Sequence, residues 1–75
     1  MNKARRKRLE KAIELAGELQ EIIDEISQEE REAFDNMPEG LQNGDKWQEI
    51  DAAATNLEDA LASVEEVVDY LSSVE

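Results

Sequence analysis

The stretch WQEIDAAATNLEDALASVEEVVDYL, residues 47–71, decides the fold. Its positions 47, 50, 54, 57, 61, 64, 68 and 71 are Trp, Ile, Ala, Leu, Leu, Val, Val and Leu, an unbroken alternation of three- and four-residue steps. That is the period of an α-helix with one apolar seam; a strand, whose side chains alternate at every residue, does not keep it. Ala53, Ala60, Val67, Tyr70 and Val74 broaden the seam. Asn43-Gly44-Asp45 marks the start, with Asp45 placed to cap and Gln48 at the capping-box position, so a helix is expected over about 45–73. Such a helix is about 42 Å long, too long to stand on propensity alone with its seam in water. The seam residues Trp47, Ile50, Leu57, Leu61, Val64, Val68 and Leu71 are therefore expected to face another helix.

The candidate partner lies upstream. Positions 9, 12, 16, 19, 23, 26, 30, 33 and 37 are Leu, Ala, Ala, Leu, Ile, Ile, Glu, Ala and Met, with Ile13, Ile22 and Phe34 widening the stripe. This is a second helical seam, violated once, at Glu30. The violation coincides with Ser27-Gln28-Glu29-Glu30, a capping box. Two outcomes stay open: one continuous helix over about 3–36, or two helices meeting near Ser27. Gly17, beside Ala16, either permits close helix approach or is simply tolerated.

Between the segments, residues 37–44 form the connector, and Pro38, Gly40 and Gly44 mark it as a turn. Pro38 pushes Met37 out of helical geometry, the two glycines allow positive φ, and Met37 and Leu41 can tuck inward. Phe34, Met37, Leu41 and Trp47 cluster around the turn as a plug for the bundle's end, the alternative being an exposed recognition loop. Residues 1–75 thus read as a single all-α domain, an antiparallel hairpin of two long helices expected to pair into a four-helix bundle, because 75 residues bury only a modest core.

Charge supports the hairpin. Six of the eight basic residues lie within the first eleven positions (Lys3, Arg5, Arg6, Lys7, Arg8, Lys11), and nineteen of the twenty acids follow them. A helix favours acids at its first turn and bases at its last, yet the chain starts with bases and ends with Glu65, Glu66, Asp69 and Glu75. An antiparallel hairpin would bring these two ill-placed clusters together and let each neutralise the other.

Chemistry is mostly excluded. With no cysteine or histidine there is no disulfide, no thiolate zinc site and no usual general base. Asp35 to Lys46 has the outline of a calcium loop, but Met37 stands at a ligand position and Lys46 where a bidentate glutamate is needed. Di-metal carboxylate bundles require inward Glu-x-x-His motifs. No glycine-rich phosphate loop is present, and Thr55 and the serines have no base placed near them by pattern. No enzyme activity, cofactor or metal is expected. No apolar run approaches a membrane span or a signal-peptide core, and the expected location is the cytoplasm. A net charge of -12 opposes direct nucleic-acid binding by the basic head.

That charge suggests the converse, a surface that imitates nucleic acid for a protein with a basic cleft. Candidate contacts are Glu49, Asp51, Glu58, Asp59, Glu65 and Glu66 on the second helix, with Glu14, Glu18, Glu21, Asp24 and Glu25 on the first. The plainer alternative is a solvated face that keeps a small bundle in solution.

The order of features, a basic Asn2-Lys3-Ala4-Arg5-Arg6, an acidic helix, the connector Ala33-Phe34-Asp35-Asn36-Met37-Pro38-Glu39-Gly40-Leu41-Gln42 and the final Asn56-Leu57-Glu58-Asp59-Ala60-Leu61, resembles a group of small acidic hypothetical proteins of bacteriophages and mobile elements. The resemblance covers nearly the whole chain, and the connector is its specific part. The group has no established activity, so no site residues carry over. It implies a context in which small acidic proteins inhibit host defence or host nucleic-acid enzymes, some by mimicking DNA. The expected function is accordingly a non-catalytic inhibitor that binds a host protein through a basic surface, as a homodimer in the host cytoplasm; the alternative is a structural self-assembling module.

Overall fold

A computed structural model describes every residue except Glu39, Leu41, Gln42, Asn43 and Glu75. Two helices, α1 (Lys3–Asp35) and α2 (Asp45–Ser72), pack against each other as an antiparallel hairpin, a rod with Cα extents of 60 × 14 × 13 Å. Leu41, expected to tuck inward, lies outside the described residues.

The helix ends follow local chemistry. Asn2 caps α1, its side-chain oxygen accepting the Arg5 amide N–H at 2.8 Å. The helix closes at Asp35, with Met37 and Pro38 beyond it, as the steric effect of proline on its predecessor requires. At α2 the sequence-based cap is displaced by one residue. Gly44 is the N-cap, extended at φ -86° and without a side-chain bond, and Asp45 is the first helical residue. Asp45 still serves the helix, since its carboxylate sits at the positive end of the dipole. The expectation of positive φ at Gly40 or Gly44 fails: no described residue has it.

The α1 helix runs unbroken through Ser27, so the capping box there is not used. Among the described residues Ser27 is instead one of three that are buried, with Ala16 and Ala54, and all three are small. Small side chains at the seam let the helices approach closely, leaving no large side chain among the described residues fully buried. On α2, Trp47, Ile50, Leu57, Leu61, Val64, Val68 and Leu71 are half-buried around Ala54. On α1 the inward face follows positions 9, 13, 16, 20, 23, 27, 30 and 34, a different three-four series from the one read in the sequence. Ala12, Leu19, Ile26 and Ala33 of the expected seam are exposed; Ile13, Gln20, Ser27 and Phe34 take their places. The two series differ by about one residue's rotation around the helix, which apolar spacing alone does not resolve.

At the connector end Phe34 and Trp47 meet with ring centroids 4.9 Å apart, and the Arg31 guanidinium lies 5.2 Å above the Phe34 ring. The indole N–H of Trp47 is buried there without a hydrogen-bond partner. Counting equally back from these facing residues brings Leu9 level with the end of α2. Residues 3–8 therefore overhang it, by about 9 Å. A shallow concavity at this overhang is lined by Met1, Arg5, Arg8 and Leu9, all from the first nine residues. The compensation expected between basic head and acidic tail does not occur among the described residues. The ion pairs there are Lys11 with Glu14, one turn along the same helix, and Arg31 with Asp51 and Glu58.

Candidate interaction surfaces

With helical side chains advancing about 100° per residue, the buried seam divides the rod into two edges and two backs. One edge is polar. Arg31 reaches across to α2: its Nη2 lies 2.6 Å and its Nε 3.2 Å from Glu58 Oε1, and its Nη1 lies 3.9 Å from Asp51. The hydrogen bond to Glu58 and the charges of Glu58, Asp51 and Asp35 raise the Arg31 pKa above its usual value, with desolvation acting the other way. A raised pKa on a cation gives a contribution that is fully present below its unfolded pKa and lost only as pH climbs through the folded one, so Arg31 stays charged at any pH near neutral. The pair is half-exposed and screened by salt, and its main effect is to fix the register of the two helices.

Further along the same edge an open groove is lined by Gly17, Gln20, Glu21, Asp24, Leu61 and Glu65. Three carboxylates share it with no cation in the lining. Gly17 forms part of its floor; a Cβ there would meet nothing within 4 Å, so the glycine is not needed for helix approach.

The structure separates the six α2 acids singled out by sequence. Asp51, Glu58 and Glu65, spaced by seven, form a ladder on the polar edge, with the first two held by Arg31. Asp59 and Glu66 point to the back of α2, and Glu49 falls on the opposite edge, as their helical angles require. No single patch contains all six. The Arg31 bridge was missed by sequence reading, although a lone arginine in an acidic body was a signal for it.

The opposite edge, Glu49 apart, is apolar along its centre. Leu15, Leu19, Ile22 and Ile26 on α1 are between 40 and 53% exposed, and Val67 on α2 and Val74 just beyond it are about half exposed. These are larger and more apolar than the residues the hairpin buries, Ala16, Ser27 and Ala54.

Among the described residues no three carboxylates converge as a metal site requires, and no helix is long and apolar enough to cross a membrane. No family model matches the chain, and neither a curated protein nor a solved structure matches it.

Proposed function

We propose that the chain is a non-catalytic acidic interaction protein that inhibits a nucleic-acid-binding or defence protein of a host cell, in the cytoplasm, by occupying its basic surface. It works as paired hairpins forming a four-helix bundle. The observation that carries the reading is the polar edge, where Glu21, Asp24 and Glu65 share a groove continuous with the ladder from Asp51 to Glu65. Adding Glu14, Asp35 and Asp69 and subtracting Arg31 and the Lys11 paired with Glu14, that edge carries about one net negative charge per 5 Å over some 32 Å of rod. One strand of duplex DNA carries a phosphate every 3.4 Å or so, so a cleft evolved for phosphates meets a comparable, sparser array.

The test is capture of a host DNA-binding protein on the immobilised chain, with duplex DNA as competitor. Capture should fall steeply with salt, yield to DNA, and disappear when Glu21, Asp24 and Glu65 are changed to Lys. Changing Asp59 and Glu66 on the back should leave it intact. Capture indifferent to salt and to the groove reversals would sink the mimicry reading. The second reading, a self-assembling structural module with no inhibitory role, is favoured by a separate observation, the exposed Leu15, Leu19, Ile22 and Ile26 stripe.

A further inference from the structure

The exposed side of α1 carries a seam of its own. Positions 8, 12, 15, 19, 22, 26, 29 and 33 step by four and three without a break, and the centre of the run is Leu15, Leu19, Ile22 and Ile26. Arg8 closes one end of the series, and Glu29, beside Glu30, lies near the other. A strict seven-residue repeat of this kind marks a surface that meets another helix, and α2 already occupies the other seam.

We infer that this edge is the contact between two copies of the chain, packed with their α1 helices antiparallel about a twofold axis midway between Leu19 and Ile22. The inference deepens the paired-hairpin reading above and rests on it. Three features single out a second copy in this orientation. The first is charge. With the axis there, Leu19 meets Ile22 and Leu15 meets Ile26 of the other protomer, while Arg8 and Lys11 come alongside its Glu29 and Glu32. The basic head, which overhangs α2 and among the described residues pairs with no acid of its own chain beyond Glu14, thus meets the acidic connector half of its neighbour twice over. A parallel pairing would place the two heads together and the two acidic halves together.

The second feature is symmetry. On α2 the same edge carries Ala53, Ala60 and Val67, spaced by seven, with Val74 following at the same spacing just beyond the helix. The midpoint of that series lies between Ala60 and Val67, level with the midpoint of the α1 seam, since the groove on the other edge sets Gly17, Gln20, Glu21 and Asp24 across from Leu61 and Glu65. One axis therefore serves both helices, setting the small Ala60 against the branched Val67. A surface used for an unrelated partner has no reason to be self-complementary about one point. The third feature is size. The seam from Arg8 to Ala33 is about 38 Å long and the hairpin edge about 20 Å across, a footprint of roughly 750 Å² on each protomer. Counted over both, that falls within the range of stable specific interfaces.

The experiment combines light scattering on the full chain with cross-linking. The chain has no cysteine, so introduced thiols report unambiguously. Copies carrying Ala12→Cys and copies carrying Glu29→Cys are mixed, allowed to exchange and oxidised. The expected result is a mass of two chains, disulfide formation between the two kinds of copy, and none within Ala12→Cys alone, where antiparallel packing holds the thiols about 26 Å apart. The pair Leu19→Asp with Ile22→Asp should give a mass of one chain. Arg8→Glu with Lys11→Glu should weaken pairing, and adding Glu29→Lys with Glu32→Lys should restore it. A mass of one chain at every concentration would overturn both this proposal and the paired-hairpin reading. A dimer that cross-links through Ala12→Cys alone, or that survives Leu19→Asp with Ile22→Asp, would overturn this interface while leaving pairing in place.

Discussion

Replacing Ser27 with alanine separates two accounts of the middle of α1 by the sign of its effect. If Ser27 capped a second helix through its box with Glu30, the change would remove a cap and cost about 1 kcal/mol. In the structure α1 is continuous through Ser27, whose side chain is 7% exposed at the seam, so the residue is an interior helical position. Alanine is the better helix former there by roughly 0.5 kcal/mol, and the change removes a single oxygen from a site already lined by small residues. For a domain of this size 1 kcal/mol moves the thermal midpoint by about 4 to 8 °C. Ser27→Ala should therefore raise the midpoint by about 2 to 4 °C, where loss of a cap would lower it by about 4 to 8 °C. Far-ultraviolet circular dichroism at fixed protein concentration makes the measurement. A lower midpoint would refute the continuous helix.

Gly17→Ala should stabilise the chain by about 1 kcal/mol in a thermal melt, because the added methyl meets nothing within 4 Å and the helix loses its most flexible residue; destabilisation would mean that another helix covers this groove in solution. Trp47→Phe keeps the ring beside Phe34 and removes a buried, unpaired N–H, a group whose desolvation costs about 1 to 3 kcal/mol. Its denaturation midpoint should hold or rise, and a loss above about 1 kcal/mol would show that the indole has a partner. Asn2→Ala removes the cap of a helix end that overhangs α2. It should lower helicity in the first turn by hydrogen exchange while barely moving the global midpoint, whereas a global loss near 1 kcal/mol would mean that the head is docked.

How much of this was legible in the sequence depends on whether one apolar stripe or two run along a helix. On α2 the series from Trp47 to Leu71 has little competition, since its neighbouring stripe is made of Ala53, Ala60 and two valines, and spacing alone points to the face turned toward α1. On α1 two complete three-four series lie side by side. The one richer in leucine and isoleucine faces out, and the one that faces α2 contains Gln20, Ser27 and Glu30. A reading that follows hydrophobicity drifts between them, taking Leu9, Ala16 and Ile23 from one and Ala12, Leu19 and Ile26 from the other. What fixes the inner series is long-range: Phe34 stacking on Trp47 and Arg31 bridging to Glu58 set the rotation of α1, and neither pairing is local in sequence. The polar edge has the same origin. Glu21 and Glu65 share a groove only because that rotation brings them together. The overhang of the basic head was equally hidden, because it follows from the difference between helices of 33 and 28 residues joined by a short turn.

The imbalance between what α1 hides and what it shows leads to one more expectation. A single hairpin buries Ala16, Ser27 and Ala54 and leaves Leu15, Leu19, Ile22 and Ile26 about half in water, so its interior is poor for a helix of 33 residues. If the outer seam is filled by a second copy, folding and pairing are one equilibrium, and stability must then depend on protein concentration. Each tenfold change in concentration alters the free energy of such a dimer by about 1.4 kcal/mol. Spread over the unfolding entropy of two chains of this length, that shifts the thermal midpoint by roughly 4 °C per tenfold. Melts followed by circular dichroism over a hundredfold range should therefore rise by about 9 °C with concentration. Leu19→Asp with Ile22→Asp should abolish the dependence and lower the midpoint to that of the lone hairpin. A midpoint that stays constant over the hundredfold range would mean that three small buried residues and a half-buried seam are enough to hold the rod, and that the outer leucines and isoleucines take no part in its folding.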